Sequence, residues 1–295
     1  MESPGPPQPT VHLTVGRPGQ RGATPETMNT PTGVCWCEKL KILVVSDRGN
    51  NRVNVFDATT GELKRAFTEF RANGLLSMPE GVAADPQGQL YIADYGHSRI
   101  LVASLQPGSR HEEVLPVPGL AGPFGLSLSP NGRVLAVCSV MHCVHLVSLG
   151  KNKDPVVLGT PSHEGGSGPG ELQYPTNCAW HPDGKRIVVA DRSNHRVQTF
   201  DAKDGSLVHS FGTFGNVDGK LNLPGAVAVD DEYIVVLDVA RIQIFDFDGN
   251  FVSVLTTVQR TSNDFIPGGL ALNTENGLLA VAASEEHAVF AIELC

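Results

Sequence analysis

Asp47-Arg48-Gly49-Asn50-Asn51-Arg52-Val53 returns as Asp94-Tyr95-Gly96-His97-Ser98-Arg99-Ile100, and again as Asp191-Arg192-Ser193-Asn194-His195-Arg196-Val197. Each copy lies between two apolar runs. The first two are 47 residues apart, and the third follows 97 residues later, the room of two further units. A period in the forties built of short strands marks a β-propeller blade.

Weaker copies fill the series. Cys138-Ser139-Val140-Met141-His142-Cys143-Val144 occupies the gap, Asp238-Val239-Ala240-Arg241-Ile242 follows, and Ala283 to Val289 ends it. The aspartate column then reads Asp47, Asp94, Cys138, Asp191, Asp238, Ala283, giving six units. A second column lies upstream in Gly33 to Trp36, Gly81 to Ala84, Gly125 to Leu128, Asn177 to Trp180, Ala226 to Val229 and Gly269 to Leu272. Its third position is always small: Cys35, Ala83, Ser127, Ala179, Ala228, Ala271. Innermost strands crowd a central channel, so this column is a packing signal, and Ser127 reads as an inner-strand residue rather than a nucleophile.

Blade 4 shows the expected strands. Strand a runs from Cys178 to His181, b from Arg186 to Ala190, c from Val197 to Asp201 and d from Leu207 to Phe211. Pro182-Asp183-Gly184 and Asp204-Gly205 supply the turns, with Pro presetting φ and Gly accepting a positive one. Val- and Ile-rich runs of this length fit buried strands. The expected fold is all-β: a six-bladed propeller of four-stranded antiparallel blades over residues 11–295, after a disordered tail at 1–10. The last unit lacks a fourth strand, so Val11 to Gly16 is expected to pair with Val289 to Glu293 and close the ring.

Asp-Arg-Gly-Asn-Asn-Arg-Val and Asp-Arg-Ser-Asn-His-Arg-Val resemble NHL repeats, as do the feeder loops Gly170 to Pro175 and Gly219 to Pro224. The resemblance covers about residues 11 to 295, strongest in blades 1, 2 and 4. It implies a six-bladed propeller. Some family members are amidating lyases whose zinc histidines follow the feeder-loop proline. The matching positions here are Thr32, Glu80, Phe124, Thr176, Gly225 and Gly268, with no histidine, so lyase chemistry does not carry over. Others bind single-stranded RNA on a basic face. Beyond the repeated ladder, the b–c turns here set Arg48 and Arg192 against Glu285 and Glu286. That balance and a net charge of −9 disfavour RNA and DNA. No RING or coiled-coil module lies within these residues, so ubiquitin ligation of that design is not expected.

The ladder Asp47–Arg52, Asp94–Arg99, Asp191–Arg196 and Asp238–Arg241 is expected to form ion pairs across the b–c turns, with Cys138 and Cys143 adjacent in blade 3 as reduced thiols. His142, His195 and His287 share one column, but turns on separate blades do not converge as zinc ligands must. Glu80 and Asn177 are too few for a calcium site, and Asp85 and Asp230 belong at the opposite rim. The Gly165 to Gly170 stretch lacks phosphate-loop spacing and a helix behind it. No metal or cofactor is expected. Six scattered cysteines, no apolar signal-peptide core and no run of about 18 apolar residues point to the cytoplasm rather than a membrane.

Protein recognition remains. The feeder-loop and b–c-turn face is expected to present Arg48, Tyr95, His97, Phe124, Met141, His142, Tyr174, Arg192 and His195, around a channel mouth of Thr32, Glu80 and Thr176. Aromatics, Met and Arg are enriched in interface cores. The expected function is a scaffold binding a protein or peptide on this face.

Overall fold

The computed structural model describes residues 9–71, 73–109, 111–150, 154–160, 164–239, 241–257 and 268–294. Among them six four-stranded antiparallel sheets form a β-propeller. Blade 4 has strand a at Pro175–Trp180, b at Arg186–Asp191, c at Arg196–Asp201 and d at Leu207–Phe211. The other blades repeat this meander. The expected tail falls mostly outside the described residues. No described helix is long and apolar enough to cross a membrane.

The inner strands are where side-chain size is decided. A Cβ on Gly33 would lie 2.1 Å from the Glu80 carbonyl oxygen, and one on Gly81 2.3 Å from that of Phe124. On Gly125 it would meet Asn177 Cα at 2.7 Å, and on Gly269 the Thr32 oxygen at 2.6 Å. These glycines therefore answer to close approach of neighbouring backbones, not to φ. The small column below them lines a channel cavity of about 910 Å³. Tryptophan indoles span blades there: Trp36 Nε1 donates to Ala271 O at 3.0 Å, and Trp180 Nε1 to Ser127 O at 3.2 Å. Asp85 and Asp230 do lie at that cavity's rim, with Glu38, Asp231 and Glu275.

The core consists of layers between adjacent blades rather than one central mass. Strands b and c face a neighbour on each side, so residues such as Ile187, Val188, Val189 and Ala190 are all buried. That double burial explains why these runs are continuously apolar instead of alternating.

Two readings of blade 3 change. Ser139, not Cys138, stands opposite Cys143, as Asp47 stands opposite Arg52. The turn is one residue shorter than in blades 1, 2 and 4, which displaced the column. Cys138 pairs with Val144 instead, so the two cysteines project from opposite faces of the blade. The Cys138 thiol meets Cys178 of blade 4, and its pKa is pushed up by burial and then by that thiol.

Ring closure follows the sequence reading. Val11–Gly16 pairs antiparallel with Ala288–Glu293, placing Val15 opposite Val289 and Gly16 opposite Ala288. Val15 is buried with Val289, Ala291 and blade 1 residues Val34 and Val45. The closing strand thus also covers the last blade interface. Removing residues 1–17 should destabilise the protein by about 3 kcal/mol or more, from the lost apolar burial and the opened sheet edge. An unchanged urea midpoint would contradict this role.

Candidate functional site

The b–c turns are built on a buried carboxylate. Asp191 Oδ1 accepts from Gln173 N at 2.7 Å; its Oδ2 accepts from Asn194 Nδ2 at 2.9 Å, Arg196 Nε at 2.7 Å and Gln198 Nε2 at 3.2 Å. Asp47 does the same with Asn29 N, Asn50 and Arg52, and Asp94 with Ser77 N, His97 and Arg99. The arginines reach on into the feeder loop of their own blade. Arg196 donates to the carbonyls of Ser167, Gly168 and Glu171, and Arg52 to those of Ala23, Thr24 and Thr27. In blade 5 the Arg241–Asp238 distance opens to 3.6 Å, while Arg241 keeps its carbonyl partners on Asn216, Val217 and Lys220. In blades 1, 2 and 4 each charge is thereby paired, which burial demands, whereas Arg241 Nε is left without a hydrogen-bond partner among the described residues.

Just beyond lies a second device, between blades. In five blades the residue just before strand c sits at positive φ: Asn51, Ser98, His142, His195 and His287. Its side chain accepts a backbone N–H from the next feeder loop. Met78 N donates to Asn51 Oδ1 at 2.8 Å and Gly122 N to Ser98 Oγ at 3.1 Å. Tyr174 N, Leu223 N and Thr30 N donate to Nδ1 of His142, His195 and His287 at 3.1, 3.0 and 3.2 Å. These histidines must therefore be unprotonated on Nδ1. They are latches between blades. The sequence column held the clue, since Asn, Ser and His all carry a short acceptor.

In blades 1, 2 and 4 the residue after the ladder aspartate lines the channel mouth. Arg48 Nε donates to Glu80 Oε1 at 2.5 Å. Burial pushes the Glu80 carboxyl up, and Arg48 and Thr32 pull it back. Tyr95 packs on Phe124 with ring centroids 5.2 Å apart. Arg192 faces Gly225 across the same opening. Together these residues wall a cavity of about 290 Å³, with Thr32, Tyr174, Thr176 and Asn177. Thr176 Oγ1 donates to Gly225 O at 2.9 Å, tying two inner strands below it.

Of the residues expected on this face, the cavity gathers Arg48, Tyr95, Phe124, Tyr174 and Arg192 with Thr32, Glu80 and Thr176. His97 instead bonds Asp94, while His142 and His195 are latches. Met141 stands outside the cavity lining. Gly225 and Gly268 complete its wall, and what made Gly225 invisible as a site residue was that it contributes space rather than a group. Two exposed rings pack on the latch histidines: Tyr174 edge-on against His142 at 4.6 Å, and Phe214 against His195 at 4.8 Å.

Among the described residues no three His, Cys, Asp or Glu side chains come together as a metal set. In the glycine-rich loop, Gly168 N donates to Glu171 Oε2 at 2.7 Å and Gly170 N to Gln198 Oε1 at 3.1 Å. Those amides are taken by the chain's own side chains rather than offered to a phosphate.

The comparisons agree with the repeat reading. The NHL repeat model matches residues 76–103, within blade 2. The E3 ubiquitin-protein ligase NHLRC1 of Rattus norvegicus is 30% identical over 156 residues, which cover 49% of this chain and 38% of that protein. Protein lin-41 of Caenorhabditis elegans is 34% identical over 94 residues, 31% of this chain and 8% of that one. Protein brain tumor of Drosophila melanogaster is 41% identical over 71 residues, 22% and 7% respectively. The matched part thus spans well under half of each of these relatives. A solved gluconolactonase from Xanthomonas campestris covers 97% of this chain, and this chain 99% of it, with a TM-score of 0.69 and 15% identity. At that identity the likeness concerns the fold.

Two outcomes follow from the turn chemistry. Asp191→Ala leaves Arg196 buried without its carboxylate and should lower stability by about 3–5 kcal/mol, read by urea denaturation; a loss within 0.5 kcal/mol of zero, on the order of a surface change, would contradict it. The second concerns pH. Burial lowers the pKa of His195 and His287, with Arg192 adding to the first and Arg21 to the second. The unfolded chain therefore takes up protons first as pH falls, so their stabilisation is complete above about 6.5 and is lost below it toward the lowered native values. Replacing both by Asn keeps an acceptor, as Asn51 does, and removes the titration. The double variant should lose less stability than the parent between pH 7 and pH 5.5; equal slopes would contradict the latch.

Proposed function

We propose that this NHL-repeat propeller is a non-enzymatic scaffold that binds a protein or peptide segment at the mouth of its channel. The observation that carries the reading is the cavity itself. It is large enough for one or two side chains, walled by Tyr95, Phe124 and Tyr174, and flanked by Arg48 and Arg192. Aromatic and arginine side chains held in a concave site are the usual anchors of protein interfaces, because they offer contact area with little ordering left to lose. The rigid ring supports this use, since Tyr95 and Arg192 follow directly on a saturated ladder aspartate. A relative whose name identifies it as a ubiquitin-protein ligase acts on proteins, in keeping with the reading. Charge points the same way: a net −9 repels polyanions.

The test is selection of binders from a displayed random-peptide library. Tyr95→Ala combined with Phe124→Ala should remove their binding by at least about tenfold, with little change in melting temperature. Undiminished binding by the double variant would move the site elsewhere.

A further inference from the structure

Blades 1 and 4 put the same residue in the same place with different partners. Arg48 and Arg192 each follow a ladder aspartate and begin the same short 3-10 turn. The mouth position facing Arg48 is Glu80, which supplies a carboxylate. The equivalent position on blade 5, facing Arg192, is Gly225. It is buried, and its backbone groups are used: its N–H donates to Leu237 O at 2.8 Å, and its carbonyl accepts from Thr176 Oγ1. Arg192 Nε is buried and has no hydrogen-bond partner among the described residues, and no carboxylate pairs with it. Burial alone lowers its pKa, with no charged neighbour contributing.

We propose that Arg192 is the anchor for a carboxylate of the bound segment, an acidic side chain or a free C-terminus, which occupies the place that Glu80 fills opposite Arg48. The inference rests on the scaffold reading and gives it a ligand chemistry. A buried guanidinium N–H left without an acceptor is unfavourable, whereas the guanidinium fork accepts a carboxylate with two parallel hydrogen bonds. The rings of Tyr95, Phe124 and Tyr174 around the same opening suit a ligand that carries apolar surface beside its acid. A phosphodiester chain suits it less. Nucleic-acid affinity comes from neutralising many phosphates, whereas of the two arginines at this mouth Arg48 is already paired with Glu80.

The experiment is a titration of the full chain with N-acetyl-phenylalanine and with its neutral amide, by ligand-observed NMR. The parent should bind the acid at least about tenfold more tightly than the amide, the loss expected when a charged hydrogen bond is removed. Arg192→Gln should bring that ratio to about one. Gly225→Glu keeps Arg192 but gives it an internal carboxylate, and should abolish the preference too; it carries the test if Arg192→Gln fails to fold. Equal binding of acid and amide by the parent, or a preference that survives both substitutions, would overturn the carboxylate site. So would failure of both probes to bind. In either case peptide selection with the Tyr95 and Phe124 variants still decides the scaffold reading. Tighter binding of a short oligouridylate than of the acid, lost in Arg192→Gln, would overturn it in favour of a phosphodiester ligand.

Discussion

The buried carboxylate of the b–c turn is what the rest of the molecule hangs on. In blades 1, 2 and 4 it accepts a feeder-loop N–H, an Asn or His side chain and the ladder arginine at once. One charge thereby fixes the loop leading into the blade and the turn within it. The next residue inherits that rigidity. Arg48, Tyr95 and Arg192 are those next residues, and all three wall the channel mouth. Structural motif and candidate site are therefore neighbours in sequence, and the blades that best keep the motif are those that furnish the site.

Packing around the channel imposes the second constraint. Backbones of adjacent inner strands approach so closely that Gly33, Gly81, Gly125 and Gly269 admit no Cβ without displacement of a neighbour. Adjacent inner strands therefore leave no room for a side chain at these positions. At the mouth the polar groups of the wall are mostly satisfied, with Arg48 on Glu80 and Thr176 on Gly225. Among the described residues of this wall Arg192 Nε is buried without a partner, and the contrast with Arg48 is internal to the ring.

Much of this was legible before any coordinates. The recurring seven-residue motif gave the blade count, and the missing last strand gave the closure by Val11–Gly16. Columns of identical role pointed to Arg48, Tyr95, Phe124, Tyr174 and Arg192 because mouth positions recur with the period. The blade-3 column slipped by one residue because its turn is shorter, and pattern matching favoured Cys138 over Ser139. Histidines 142 and 195 looked like recognition residues because a latch and a ligand group share the same chemistry; only the feeder-loop N–H contacts separate them. Gly225 carried no signal by itself. Its meaning lies in what blade 2 has instead, and that comparison needs to know which turn faces which mouth position.

The most direct measurement is the ¹H–¹⁵N NMR spectrum of the arginine guanidinium groups before and after adding N-acetyl-phenylalanine. A downfield shift of the Arg192 signal, with Arg48 unmoved on Glu80 and no response to the neutral amide, is the expected result. An unshifted Arg192, or a shift confined to Arg48, would contradict the assignment of the open guanidinium as the anchor of this face.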